Sequence, residues 1–220
     1  MDLIKLWTIC SSNGIILDKK QIDDLERFAN DLIYWNKKVN LISRKDESEI
    51  LAKHILHSLS ILKYLRIKDK AKCLDIGTGG GFPGIPLKIA KPKINMLLID
   101  SIAKKIKITS MFAQHTGQRN IVAKTMRAEE LALQKEYNNY FDFVFARAVT
   151  KTNKIVRWSE KILKNKGKIV LLKGGDLNKE IAQAKEEFPK LQIEEIQINL
   201  LGADWFKEDE KKILICSSVN

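Results

Sequence analysis

The sequence is poor in cysteine and proline, carries no long apolar run, and has fewer acidic than basic side chains. Its three cysteines, Cys10, Cys73 and Cys216, are odd in number and far apart, with no CxxC pair and no His/Cys cluster. That spacing suggests neither a disulfide framework nor a zinc site, so no metal is expected and the thiols should be reduced and buried. The longest apolar stretches, "NMLLID" and "GKIVLLKG", fall well short of the roughly 18–20 residues that cross a bilayer. "MDLIKLWTIC" has neither the basic start nor the cleavage site of a secretion signal, and a cytoplasmic protein without membrane contact is the expectation. Internal repeats and low-complexity segments are absent as well.

What is present is a globular composition, 45% hydrophobic and 30% charged over 220 residues, enough for one large domain or one with an appendage. A monomer is expected. Lys and Arg number 39 against 27 Asp and Glu, a formal net charge of +12, which suits a polyanionic partner and predicts salt-sensitive binding. Residues 1–70 hold 13 basic and 10 acidic side chains, so the other 26 and 17 lie beyond them. The excess is concentrated in clusters such as Lys104, Lys105, Lys107 and Lys161, Lys164, Lys166, Lys168.

Residues 1–66 read as a helical extension, because Ile22, Leu25, Phe28, Ala29, Leu32 and Ile33 recur at helical spacing, as do Leu51, Ile55, Leu56, Leu59 and Leu62. Asp18 and Ser48 are expected N-caps, and "RIKDKAK" is the candidate linker to a domain over 67–220. From Ala71 short apolar runs alternate with helical stretches: "KCLDIG", "INMLLID", "NIVAKTM", "FDFVFARAV" and "GKIVLLKGG". Such alternation predicts an α/β fold with a parallel sheet covered on both faces. The last two runs, "QIEEIQINL" and "KKILICSSV", are joined without room for a crossover helix and should form an antiparallel hairpin at the sheet edge.

"CLDIGTGGGFPGIP", Cys73 to Pro86, holds five glycines and two prolines between the first strand and the helix after it. Gly79 to Gly84 satisfies GxGxxG, a pattern that is weak alone. Asp75-x-Gly77-x-Gly79-x-Gly81 fits as well and describes the nucleoside loop of S-adenosylmethionine (SAM) methyltransferases. Both sites want an acidic residue ending the second strand to bond ribose hydroxyls, and Asp100 is there. The balance favours SAM, because Pro83 and Pro86 remove amide donors that a pyrophosphate would use, and no Lys-Ser/Thr follows the glycines as in a P-loop.

The chain resembles the GidB (glucose-inhibited division protein B) family, the bacterial 16S ribosomal RNA guanine-N7 methyltransferases of the G type. The resemblance covers nearly the whole chain and rests on "YWNKKVNLIS", "HILHSL", "LDIGTGGGFPGIPLKIAKP", "LIDSIAKK", "RAEEL", "FDFVFARA" and "LLKGG". It implies a class I SAM-dependent (Rossmann-like) methyltransferase fold, with a mostly parallel seven-stranded sheet and a terminal antiparallel hairpin. It further implies SAM as methyl donor and 16S ribosomal RNA or the small ribosomal subunit as partner. Asp75, Gly77, Gly79, Gly81 and Phe82 would build the SAM loop, Asp100 would face the ribose, and Ala128 and Glu129 the adenine. Arg147 would stand at the methyl-transfer cleft as the catalytic and cofactor-facing arginine, with Lys104, Lys105 and Lys173 on the rim where RNA passes. Asn40 is in the family motif and is the expected base contact, ahead of Trp35 and Asn36. Two positions depart from the pattern: His57 replaces the usual Asp of "HILDSL", and Lys105 replaces a common Arg, which keeps the charge and loses a fork of donors.

The chemistry can be narrowed from the residues themselves. Methylation of exocyclic amines usually goes with Asp/Asn-Pro-Pro-aromatic after the fourth strand, where this chain reads "ARAVTK". Pyrimidine C5 methylation needs a cysteine nucleophile, and none is expected in the cleft. Guanine N7 carries a lone pair and no proton, so its methylation needs alignment and water exclusion more than acid–base groups. His54 and His57 share a helical face at i, i+3 but lack a third ligand, and are expected to be structural or RNA-contacting. Two other readings compete: an NAD-dependent oxidoreductase and a non-enzymatic RNA-binding module. Arg147 could also be a plain ion-pair partner of Asp75 or Asp142.

Overall fold

The computed structural model describes residues 1–217. The chain opens with helices α1 (Leu3–Ser12) and α2 (Lys19–Asn36). Asp18 is the N-cap of α2 in a full capping box: its side chain accepts from Gln21 N, and Gln21 returns a bond to the Asp18 amide. The apolar stripe read from the sequence faces inward, with Ile22, Leu25, Phe28, Ala29 and Leu32 all buried. Ser48 is not an N-cap. It lies within a 3₁₀ segment, Arg44–Glu49, which runs into a π-helical segment, Ile50–Leu56, and then short α3 (His57–Leu59) and α4 (Ile61–Tyr64).

Strands β1 (Lys72–Ile76), β2 (Asn95–Asp100), β3 (Ile121–Thr125), β4 (Phe141–Arg147), β5 (Leu163–Gly174), β6 (Gln192–Gln197) and β7 (Lys211–Ser217) form one sheet of order β3-β2-β1-β4-β5-β7-β6. The first five pair in parallel, and β7 inserts antiparallel between β5 and β6. The expected hairpin is therefore present, and the end of its run, Ser218 and Val219, lies outside the described residues. Parallel strands need crossovers, supplied by α5 (Gly84–Ala90), α6 (Ala103–His115), α7 (Ala128–Leu131) and α8 (Thr152–Ser159). Helix α9 (Asn178–Glu187) leads to β6, and α10 (Trp205–Glu208) sits in the connection to β7.

Two apolar layers cover the sheet. On one face Leu6, Leu25, Phe28 and Leu32 from the first two helices share a core with Phe82, Ile85, Phe112, Phe145 and Val170. On the other, Ile155, Val156 and Ala184 from α8 and α9 pack on Leu74, Val144, Ile169 and Leu214. The cysteines lie in α1, β1 and β7, all buried and free, and burial pushes the Cys10 and Cys216 thiols up to about 12 and Cys73 further. Among the described residues no helix is long and apolar enough to cross a membrane and no group of His, Cys, Asp or Glu could hold a metal ion.

Candidate active site

The glycine loop leaves β1 at the point where the strand order reverses, between β1 and β4, where open α/β sheets hold their ligands. Asp75, at the end of β1, is fully buried and ties the loop down: its Oδ2 accepts from Thr78 Oγ1 at 2.7 Å and from Gly84 N at 2.9 Å. Desolvation raises its carboxyl from 3.8 to about 7, despite those two bonds. Gly77 sits at φ +63°, and a Cβ there would come within 2.6 Å of Val149 Cγ2. A Cβ on Gly84 would stand 2.2 Å from Leu98 Cδ2, so at both positions only glycine lets the loop close on the sheet.

The start of α5 offers no free amide. Gly84 N is taken by Asp75, Ile85 N by Gly81 O and Leu87 N by Pro83 O, while Pro86 has no N–H. A pyrophosphate would find no donors there, which weighs against a dinucleotide.

Around the loop lies a cavity of about 560 Å³, lined by the C-terminal ends of β1, β2 and β4, the turn after β3, and residues 41–43, 46 and 54 of the N-terminal region. Gly77, Gly79, Phe82, Asp100, Lys105, Ala128, Glu129 and Arg147 all border it. Asp100 receives Gly79 N at 3.0 Å and Ile102 N at 2.9 Å, so one backbone donor fixes each carboxylate oxygen and lone pairs remain for a ligand. Thr109 Oγ1 holds the Gly79 carbonyl at 2.7 Å. Asp75 and Gly81 do not line the cavity; they shape the loop beneath it. Lys104 is exposed beside it, Asn40 is exposed and outside it, and Lys173 is turned inward, bonded to Thr150 O at 2.8 Å and Glu180 Oε1 at 2.7 Å.

Arg147 ends β4 and borders both this cavity and a second one of about 400 Å³ that adjoins it on the β5 side. Its Nη2 donates to Lys53 O at 2.9 Å, its guanidinium lies 5.7 Å from the Phe82 ring centre, and its Nη1 is buried without a partner. Burial lowers it to about 10. It pairs with neither Asp75 nor Asp142; Asp142 is held by Lys164 at 2.7 Å. His54 and His57 are buried behind it. Desolvation first, and Arg147 second, lower His54 to about 4 and His57 well below its ordinary value, so both are neutral.

The N-terminal segment proves to be a wall of the site. Asn36, suggested by the sequence as a base contact, is buried: its Oδ1 accepts from Leu41 N and Ile42 N, and its Nδ2 donates to Glu47 Oε1 at 2.7 Å. Trp35 packs edge-on to Tyr34, with the Lys38 ammonium 4.9 Å above its ring. Asp46, Lys53 and Trp158 border the cavities and carried no periodic or motif signal, while Met126 and Arg127, which border the first, stood within "NIVAKTM" and "RAEEL" without being singled out.

The sequence profile of the family described as rRNA small subunit methyltransferase G matches residues 21–211. The chain belongs to that family. A ribosomal RNA small subunit methyltransferase G from Chlorobium luteolum is 42% identical over 182 residues, 83% of this chain and 74% of that protein. Among solved structures, a TehB-like SAM-dependent methyltransferase from Corynebacterium glutamicum superposes with a TM-score of 0.58 at 13% identity, over 86% of this chain and 98% of that one. A ribosomal protein L11 methylase from Lactobacillus delbrueckii gives 0.56 at 16% identity over 76% and 78%. These structures share the class I SAM methyltransferase fold; the family membership rests on the sequence relatives.

Proposed function

We propose that this methyltransferase G family member transfers a methyl group from SAM to N7 of a guanine in 16S ribosomal RNA, as a monomer in the cytoplasm. The observation that carries the reading is the cavity at the strand-order reversal, where Asp100 faces the space and the helix beyond the glycines has no amide free for phosphate. The residues present suit SAM: Asp100 for the ribose, Gly77 and Gly79 for close approach, Ala128 and Glu129 for the adenine, Phe82 and Arg147 toward the methyl end. When bound, SAM supplies an electrophilic methyl carbon on a sulfonium, which an aromatic nitrogen lone pair can take while the electron pair of the broken bond stays on sulfur.

For the N7 position the support is chemical. The cavity lining contains no cysteine, its histidine is neutral, and the segment after β4 is Ala148-Val149-Thr150-Lys151, without the prolines of amine methylases. A nucleophile that carries no proton needs none of these; it needs orientation and a dry site. RNA as substrate is supported by the net charge of +12 and by Lys105 on the cavity wall with exposed Lys104 next to it in the chain. The test offers labelled SAM with small subunits, and separately with naked RNA, from cells lacking this protein, and maps the modified base. Label at N7 of one guanine is expected; label on an amine or carbon overturns the assignment, and binding of NAD without SAM overturns the methyltransferase reading itself. Sedimentation at working concentration should show one copy.

A further inference from the structure

The two cavities share a wall made of Asp46, Arg147 and Ala148. The charged members of that wall are only partly matched: Asp46, part-exposed, has Lys53 as a distant ion-pair partner, and Arg147 spends one nitrogen on Lys53 O. Neither oxygen of Asp46 receives a hydrogen bond among the described residues: Lys53 Nζ stands 3.7 Å away and closer to Glu49, and His54 Nε2, on a neutral ring, stands 3.4 Å away. Arg147 has one guanidinium nitrogen buried and unpartnered. His57, 5% exposed, lines the second cavity with its own Nε2 unpartnered. Unsatisfied buried polar atoms are rare in folded proteins, and several facing one space call for a ligand that completes them.

The ligand is constrained by the signs. The lysines that line the second cavity, Lys53, Lys173 and Lys211, are engaged by Glu49, Glu180 and Asp209, so a phosphate would have Arg147 to satisfy it and Asp46 to repel it. A group with an acceptor at one end and donors beside it satisfies both, and the edge of guanine that carries O6, N1–H and N2–H₂ in that order is such a group. Adenine also has an N7 lone pair, but its N1 would set a lone pair against the carboxylate. The second cavity, about 400 Å³, is within the size range of small-molecule sites, and enzymes that act on a base commonly read its Watson–Crick edge in a side pocket.

We propose that Asp46 and Arg147 form the guanine-reading pair, Asp46 accepting from N1–H and N2–H₂ and Arg147 donating to O6, with the base entering through the second cavity. The proposal rests on the methyltransferase reading above and assigns the substrate side of the same site. It also gives Asp46 a share in rate: methylated at N7, the ring gains a positive charge, so a carboxylate on N1–H binds the transition state better than the ground state.

The test replaces the target guanosine, in RNA the wild-type enzyme methylates, by inosine, which lacks only the N2 amine. Wild type should lose at least about tenfold in kcat/KM on inosine. In Asp46→Asn the guanosine rate should fall to near the inosine rate, mostly in kcat, so that the ratio approaches one while SAM affinity is kept. An unchanged ratio in Asp46→Asn overturns the proposal, as does a loss of SAM binding that parallels the loss of transfer, which would place Asp46 at the methionine end of SAM. A second arm uses 7-deazaguanosine at the target: wild type should bind it as it binds guanosine, transfer nothing, and bind it more weakly after Asp46→Asn. Transfer to the 7-deaza RNA would refute N7 as the acceptor and leave the inosine ratio to decide the base-reading pair.

Discussion

Asp75 and Asp100 are both acids at the C-terminal ends of neighbouring strands, yet the structure gives them different tasks. Asp75 is sealed under the loop with its carboxyl raised to about 7, while Asp100 borders the cavity. Because the folded Asp75 holds its proton up to a higher pH than the unfolded chain, which releases it near 3.8, its contribution to stability is greatest below about 3.8 and is lost as pH rises toward about 7. Asp75→Asn should therefore gain in melting temperature relative to wild type between pH 4 and pH 7, as read by calorimetry; a constant difference across that range would refute the buried-acid account. Asp100→Ala should weaken SAM binding by at least about tenfold, since a carboxylate on a sugar hydroxyl is a charge-assisted bond, and should also lower the melting temperature, because the Gly79 and Ile102 amides lose their acceptor; unchanged SAM affinity would remove Asp100 from the cofactor site. Asp100 was legible because its place after the second strand follows from a fixed distance past the glycines. Asp46 was not, because its meaning depends on Arg147, which lies far along the chain.

The element that changes most between sequence and structure is residues 36–57. Helical periodicity is visible there, but nothing in it foretells a 3₁₀ segment followed by a π segment that together wall the cavity. The hinge of this arrangement is Asn36, which receives the amides of Leu41 and Ile42 just as the chain turns away from α2. Asn36→Ala leaves two buried donors unmet at about 1–3 kcal/mol each, so a lowered melting temperature is expected together with a weaker SAM affinity, measured by titration calorimetry. Weakened stability with SAM affinity intact would show that residues 41–43 do not close the cofactor side. The hairpin of β6 and β7, by contrast, followed from loop length alone, since two strands joined without a crossover helix can only run antiparallel.

At the scale of the whole molecule, the charge of +12 is divided between lysines that stay free and lysines that the fold consumes. Lys173 is paired with Glu180 and Lys164 with Asp142, whereas Lys104 is exposed, next in the chain to Lys105 at the cavity. Lys104→Ala with Lys105→Ala should weaken RNA binding and flatten the slope of log affinity against log salt by about 1.5–2 for two phosphate contacts, with SAM affinity largely kept; an unchanged slope would move the RNA path elsewhere. The alternation of strands and helices, the amphipathic α2, the glycine turn and the acid ending β2 were determined by the sequence itself, because each rests on spacing within a short stretch and on conformations that few residues can adopt. Which lysines remain free, which acid is sealed and which faces the ligand, and how Asp46, His57 and Arg147 meet around one space were decided only by the tertiary structure. Burial and charge pairing depend on neighbours brought from distant parts of the chain, and no local pattern records them.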